Sequence, residues 1–184
     1  MSKDMTTSRA LVLSLLFVTI GEPVLAGCAD VAAPGVYWRR CLQDGQDLRG
    51  VDLTGGVLRD ASFKRTDLSE ALLIDADARR AKFVSSTLHA VTLDGANLER
   101  ADLTKADLSD ASLRNANLTA ARFFRADLSG ADLTGARLDR TDLLKAKLDG
   151  ATWIDGVTIC APGSVGTCQR GRADPEVSGV EASG

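Results

Sequence analysis

The chain has 184 residues, of which 26% are charged, and a formal net charge of −3. This length is enough for one domain. The sequence holds a single histidine, His89, and four cysteines, and these cysteines lack the C-x-x-C spacing and neighbouring histidines of a metal site. No Ser/His/Asp signature, phosphate-binding loop or metal motif is visible. We therefore predict a non-enzymatic protein with no catalytic, cofactor-binding or metal-binding residues and no cofactor.

The first 26 residues predict a signal peptide. Lys3 and Arg9 precede an apolar run at 10–20, which is too short to span a membrane. Val24-Leu25-Ala26 then offers a cleavage site of small residues. We expect a mature chain that begins at Gly27 and is periplasmic or secreted in a bacterium.

A lipid anchor is the alternative interpretation of the same region. Leu25-Ala26-Gly27-Cys28 resembles a lipobox, which would make the protein a membrane-anchored lipoprotein. Glu22 and Pro23 interrupt the apolar run where lipoprotein signals stay apolar, and this favours a soluble product. The sequence leaves both alternatives open.

Residues 27–45 are predicted to cap the N-terminal end of the domain that follows. They hold Cys28 and Cys41, while Cys160 and Cys168 lie near the other end of the chain. An even number of cysteines in an exported protein indicates disulfides. Three connectivities exist for four cysteines, and pairing 28–41 with 160–168 is the local choice. Lipidation of Cys28 would leave Cys41 unpaired.

The segment 46–155 repeats every five residues without insertion or deletion. A leucine or phenylalanine occupies the centre of each unit at 48, 53 and onward to 148, except at Ala78, and Trp153 is the last centre. Alanine usually stands two residues earlier. Counting centres, (153 − 48)/5 + 1 gives 22 repeats.

A period of five fits neither a helix nor a continuous strand. It fits three extended residues followed by a corner. In Ala101-Asp102-Leu103 the first and third side chains point inward and the middle one outward, and Thr104 and Lys105 must then turn the chain. Units this short, repeated this often, predict a solenoid in which each coil contacts only its neighbours.

The repeats resemble the pentapeptide-repeat family, whose consensus is A-(D/N)-L-x-x. Close matches are Ala96-Asn97-Leu98, Ala106-Asp107-Leu108, Ala116-Asn117-Leu118, Ala126-Asp127-Leu128 and Ala131-Asp132-Leu133. The resemblance implies an all-β fold, a right-handed quadrilateral β-helix with four repeats per coil and about 5.5 coils. The sequence agrees with a coil of twenty residues, because the central Phe63, Phe83 and Phe123 are separated by multiples of twenty.

The resemblance also bears on the ends and on partners. Pro34-Gly35-Val36-Tyr37-Trp38 is similar to a leader of exported family members. Some family members resemble a DNA duplex in shape and charge and act on DNA gyrase. Such a topoisomerase modulator needs a strongly negative surface and a cytosolic address, so we predict no nucleic acid partner here. End-to-end pairing, which is common in the family, leaves a homodimer open.

Four sides follow from a coil of twenty residues, and their outward charges differ. The first side has centres 48 to 148, the second 53 to 153, the third 58 to 138 and the fourth 63 to 143. Their outward residues sum to −5, −4, +2 and +5. The basic residues of the third and fourth sides, with Phe124 and Leu144 expected to be exposed together, form a candidate contact surface for an unknown protein or an anionic envelope component. Its residues are Arg65, Arg80, Arg100, Lys105, Phe124, Arg125, Arg140, Leu144 and Lys145. The alternative is a charge distribution that serves solubility alone.

After the repeats, residues 156–170 are predicted to form a cap closed by Cys160 and Cys168. A solenoid exposes its core and unpaired strand edges at both ends, so it needs such caps. The segment 171–184 is rich in Gly, Ser and acidic residues and is predicted to be disordered.

Overall fold

A computed structural model describes residues 27–170. The predicted signal peptide at 1–26 and the predicted disordered tail at 171–184 lie outside these described residues. Within 27–170 there is no helix long and apolar enough to cross a membrane.

The backbone is a stack of coils with a repeat of twenty residues. Parallel β-bridges join each residue before a repeat centre to the residue twenty positions later, from Tyr37↔Val57 through to Asp132↔Thr152. Each β-element of the described segment is a single isolated bridge, because a corner follows after only three extended residues. The twenty-residue coil that the family resemblance implies, and with which the phenylalanine positions agree, is therefore present.

Two sets of hydrogen bonds define this path. Within a coil, the amide of each unit's first residue donates to the preceding centre, as Ala106 N does to Leu103 O at 3.0 Å. Between coils, the amides of the central residue and of the last corner residue donate to carbonyl groups of the next coil. Leu103 N donates to Arg122 O at 2.8 Å, and Lys105 N donates to Phe124 O at 2.9 Å. The turn bonds close the corners, and the bonds between coils fix the register.

The last residue of every unit from 35 to 150 has a positive φ. Glycine is suited to this left-handed region, and Gly130 adopts it with φ 71°. Sixteen non-glycine residues adopt it as well, among them Lys105 and Arg125, both with φ 59°. A non-glycine residue in this region is uncommon, so its recurrence shows that the coil imposes one backbone conformation on each corner.

The core is a narrow column of alanine and leucine or phenylalanine. Ala101 and Leu103 are completely buried, as are Ala78 and the three central phenylalanines. The rings of Phe63 and Phe83 stack with centroids 5.1 Å apart and an interplanar angle of 5°. The separation of twenty residues thus places these two rings directly above one another.

The coil path begins before the sequence repeat does. Bridges Tyr37↔Val57 and Leu42↔Ser62 place two further units, centred on Trp38 and Gln43, in register with the rest. Residues 36–155 thus make 24 units, or six coils, rather than the 5.5 expected from the consensus alone. The predicted cap at 27–45 includes part of the first coil.

The N-terminal end of the core is covered by Trp38. Its ring is 2% exposed and lies 6.3 Å from the ring of Phe63. A disulfide joins Cys28 to the buried Cys41, and the amide of Gln43 donates to the Cys28 carbonyl at 3.1 Å. The disulfide and this hydrogen bond thereby attach the first coil to the residues that precede it.

The C-terminal segment folds back antiparallel over the last coil. Its bridges are Lys147↔Val165, Thr152↔Ile159 and Cys160↔Arg170, and a disulfide joins Cys160 to Cys168. Both disulfides follow the local pairing. The reversal from parallel to antiparallel ends the coil path at this edge.

We expect Leu103→Ala to lower the free energy of unfolding by about 2–5 kcal/mol. Truncation of a buried leucine leaves a cavity, and the hydrogen-bonded coil cannot move inward to fill it. Lys105→Ala, two residues away and exposed, should change it by less than about 0.5 kcal/mol. Urea titration followed by circular dichroism measures both. Equal losses for the two variants would contradict the narrow, fully packed interior.

Candidate contact surface

Four cations stand in one line along the corner of the fourth side. Arg65, Lys105, Arg125 and Lys145 occupy the same position in successive coils, with Ser85 between the first two, and all are exposed. We call these four cations the basic column. Lys105, Arg125 and Lys145 lie on three consecutive coils, so their backbones are about 4.8 Å apart, the spacing of neighbouring strands.

The basic column has no salt bridge within the described residues. Arg65 is nevertheless close to an acid. Burial raises the pKa of Asp44, but the Ser62 hydroxyl, the Lys64 amide and the charges of Lys64 and Arg65 outweigh it, and the pKa is lowered. Three like charges in a line therefore remain uncompensated at Lys105, Arg125 and Lys145.

The third side differs because its cations are largely paired. Arg80 donates two hydrogen bonds to Asp60, at 2.7 and 2.9 Å. Arg100 lies 3.8 Å from Glu99, and Arg140 has no salt bridge among residues 27–170. Of the nine predicted surface residues, Arg80 is thus engaged in a bidentate ion pair, whereas the basic column is available to a partner.

The two apolar residues beside the basic column are not equivalent. Leu144 is 60% exposed, as predicted. Phe124 is only partly exposed, so the expectation that the two residues are exposed together is met in full by Leu144 alone. The Arg125 guanidinium lies 5.3 Å from its ring centroid and the Lys145 ammonium 6.0 Å from it. These cations cover the ring and gain a cation–π attraction from it.

Two further cations of the fourth side extend this surface. Lys64 and Lys82 carry no salt bridge in the part of the chain that the structure describes, and Lys82 is exposed. Their charges contribute to the predicted +5 of the fourth side, but the two lysines are not among the nine predicted contact residues. Their positions in the twenty-residue register were the signal that could have identified them.

Most acidic side chains of the first and second sides accept hydrogen bonds from residues of the turn that follows them. Asp52 Oδ1 accepts the Thr54 amide at 2.9 Å, and Asp132 accepts the amide and the hydroxyl of Thr134. Asn97 and Asn117 make the same bond with their side-chain oxygens. Such local bonds from Asp and Asn stabilise turns, and they explain why either residue is found before the centre.

A family model for pentapeptide repeats matches residues 47–84, 81–119 and 121–152, with eight copies. These matches cover more than half of the chain and coincide with the observed coils. This chain belongs to the pentapeptide-repeat family. No curated protein sequence matches it.

Solved structures of other pentapeptide-repeat proteins are similar to it. Rfr23 from the cyanobacterium Cyanothece 51142 is 27% identical with a TM-score of 0.53, and the match covers 64% of this chain and 90% of that one. HetL from Nostoc sp. strain PCC 7120, involved in heterocyst differentiation regulation, is 32% identical with a TM-score of 0.39 and coverage of 66% and 61%. A thylakoid-lumen protein of Arabidopsis thaliana is 30% identical with a TM-score of 0.40 and coverage of 58% and 68%.

The register of this pentapeptide-repeat protein also brings His89 near a serine. His89 Nδ1 lies 3.0 Å from Ser109 Oγ, but the Ser109 hydroxyl donates to Asp107 Oδ1 at 2.7 Å. The hydroxyl proton is thus directed at a carboxylate, so a hydrogen bond between His89 and Ser109 requires the tautomer in which His89 Nδ1 carries the proton. This polarity is the reverse of what a nucleophilic serine requires.

Several turn-forming acids have lowered pKa values. A hydrogen bond from the Arg49 side chain, followed by one from its amide, lowers the pKa of Asp47 to about 2. The Thr158 hydroxyl and then the Thr158 and Val157 amides lower the pKa of Asp155 to about 2. The Thr54 side chain and amide lower the pKa of Asp52. In each case the folded state favours the carboxylate.

Because these pKa values are lower in the folded than in the unfolded chain, their stabilisation is present above the unfolded value of about 3.9 and is lost as the pH falls through the folded value. We expect the urea midpoint to be nearly constant from pH 7 to about 5 and to fall between about pH 4 and 2. Asp52→Asn keeps an acceptor oxygen but not the charge. It should be less stable than the parent at pH 7 and equal to it near pH 2.

Glu70→Gln is the matched control, since Glu70 is an exposed corner acid of the first side whose carboxylate has no salt bridge within residues 27–170. Its difference from the parent should not depend on pH. If Asp52→Asn showed the same pH-independent difference, the turn-bound carboxylates would not be the source of acid sensitivity.

Proposed function

We propose that this protein is an exported, non-enzymatic pentapeptide-repeat module that binds an anionic envelope component or a partner protein through its fourth side. We infer that its coils form a right-handed quadrilateral β-helix. The parallel bridges every twenty residues and the four turns per coil support this geometry. A rigid stack with flat sides suits contact with another extended surface.

The cysteines support an oxidising location. Cys28–Cys41 and Cys160–Cys168 are both within bonding distance in the fold, and disulfides persist in the periplasm and outside the cell. The first pair also favours a soluble product over a lipoprotein. A lipidated Cys28 would use its sulfur for the anchor and leave the buried Cys41 without a partner.

The observation that carries the proposal is the uncompensated basic column beside the exposed Leu144. Aligned cations create a positive potential that attracts anionic surfaces, and each Lys or Arg near an anionic membrane contributes about 1 kcal/mol. The gyrase-directed alternative requires an anionic surface that resembles DNA, which this side does not offer. A non-enzymatic role is supported by the acids, which are engaged in turns.

We expect the protein to sediment with phosphatidylcholine vesicles that contain phosphatidylglycerol, and this binding should weaken as salt is raised because the cations are exposed. The triple variant Lys105→Gln, Arg125→Gln, Lys145→Gln should lose about a hundredfold in affinity, from three cations at about 1 kcal/mol each. Co-sedimentation at several salt concentrations measures the change.

The chain offers a matched control with the same change in net charge. Arg49, Arg114 and Lys147 are the three cations of the first and second sides, and their replacement by glutamine should leave the affinity unchanged.

In-cell photo-crosslinking from position 124, with position 107 as its control, detects a protein partner. Equal vesicle binding by both triple variants, together with equal capture from 124 and 107, would contradict a contact role for the fourth side.

A further inference from the structure

Among residues 27–170, the segment after the repeats covers two of the four sides at the C-terminal end of the coil stack. The amide of Leu148 donates to Ser164 O at 2.9 Å, that of Gly150 to Cys160 O at 2.9 Å and that of Trp153 to Thr158 O at 2.7 Å. These bonds close the first and second sides. The segment 156–170 therefore replaces half of a seventh coil.

Within residues 27–170, the third side of the last coil has no such cover, and the fourth side is approached only at its final corner, where Gly166 lies near Leu143 O and Lys145 N. One coil below, Leu118 N donates to Arg137 O at 3.0 Å and Ala120 N to Asp139 O at 2.8 Å. The corresponding amides of the last coil find no backbone acceptor within residues 27–170; they are those of Leu138, Arg140, Leu143 and Lys145.

Core side chains are also less covered at this edge. Leu138 and Leu143 are partly exposed, whereas Leu118 and Phe123 beneath them are completely buried. An edge whose amides have no backbone acceptor in the described part of the chain, and whose apolar side chains are accessible, is a template for pairing with another strand. Its length is two units, 136–140 and 141–145.

The chain beyond Arg170 has a five-residue period of its own. Pro175-Glu176-Val177-Ser178-Gly179 is followed by Val180-Glu181-Ala182-Ser183-Gly184. Both units read acid, aliphatic residue, serine and glycine at their second to fifth positions. The coil unit Ala126-Asp127-Leu128-Ser129-Gly130 has the same order, and its glycine takes the positive φ that each corner needs.

We propose that residues 175–184 dock on this open edge as two additional units, stacked on 136–140 and 141–145. Val177 then lies over Leu138 and Ala182 over Leu143. In the register of the lower coils, the carbonyl groups of residues 176, 178, 181 and 183 accept the four free amides. This assignment differs from the disorder that composition alone predicts for the tail.

The geometry of the chain permits this docking. Arg170 is bridged to Cys160, and the Cys160 carbonyl accepts the amide of Gly150. Gly150 ends the first side, so the chain must pass along the second side to reach Ala136, where the third side begins. The five steps from Arg170 to Pro175 can span about 17 Å when extended, which is enough to follow a side of five residues that includes a turn. Pro175 lacks an amide hydrogen, and the first position of the first added unit has no preceding centre to which an amide would donate.

Charge favours the same placement. The segment 171–184 carries Asp174, Glu176 and Glu181 against Arg172, and the open edge is flanked by exposed Arg137, Arg140 and Lys145. An acidic segment beside these cations reduces their mutual repulsion. It also protects the edge from pairing with a second molecule, which natural β-proteins avoid by covering such edges.

Hydrogen exchange resolved by residue tests the proposal. In the chain that ends at Gly184, the amides of residues 138, 140, 143 and 145 should be protected, and in the chain that ends at Asp174 they should exchange at least tenfold faster. The amides of Leu148 and Gly150, which bond to the disulfide-closed segment, should be unaffected. Equal exchange of the four amides in both chains would overturn the proposal.

Two substitutions in the full chain separate docking from a general effect of truncation. Val177→Asp places a charge over Leu138 and should remove the protection, whereas Ser178→Asp alters an outward position and should keep it. Protection that rises with protein concentration and accompanies a dimer in light scattering would show that a second copy covers the edge instead, and this outcome also overturns the proposal.

Discussion

The left-handed conformation at every fifth residue is the constraint on which this structure depends. It closes each corner so that three extended residues can be followed by a turn, and it aims the amides of the centre and the corner at the coil above. For a residue such as Arg125 the conformation is intrinsically unfavourable. Its φ of 59° persists because a turn bond and a bond between coils hold the same residues from two directions.

This constraint divides the side chains of each unit among three tasks. The alanine and the central residue fill an interior that is too narrow for two large side chains. The residue between them points outward, and its side chain hydrogen-bonds to the turn that follows. Asp132, for example, accepts two bonds from Thr134, so its charge stabilises the fold rather than marking a site. Only the corner residues and the residue before them are free to vary, and for this reason the basic column lies on a corner.

The period of five was sufficient to predict the solenoid and its alanine and leucine core, since both follow from spacing. The coil of four units was implied by the family resemblance, with which the spacing of the phenylalanines agrees. The start of the coil was not predictable in the same way. Trp38, Gln43 and Cys41 break the consensus, yet they occupy core positions because the backbone register, rather than residue type, defines a unit. The partial cover of Phe124 and the contact between His89 and Ser109 were not predicted. Both depend on side chains of the next coil, which lie about twenty positions later in the sequence.

The cations of the third and fourth sides differ in how they are paired. On the third side, Arg80 and Arg79 are each bonded to an aspartate, which is the arrangement that lowers electrostatic energy in a column of charges. On the fourth side, Lys105, Arg125 and Lys145 follow one another without a salt bridge to any acid among residues 27–170, although aspartates are the commonest outward residues elsewhere in the repeats. A line of unpaired cations costs repulsion energy in the free protein. That energy is recovered when an anionic group approaches, whether it belongs to a bound partner along the side or to the acidic end of the chain itself.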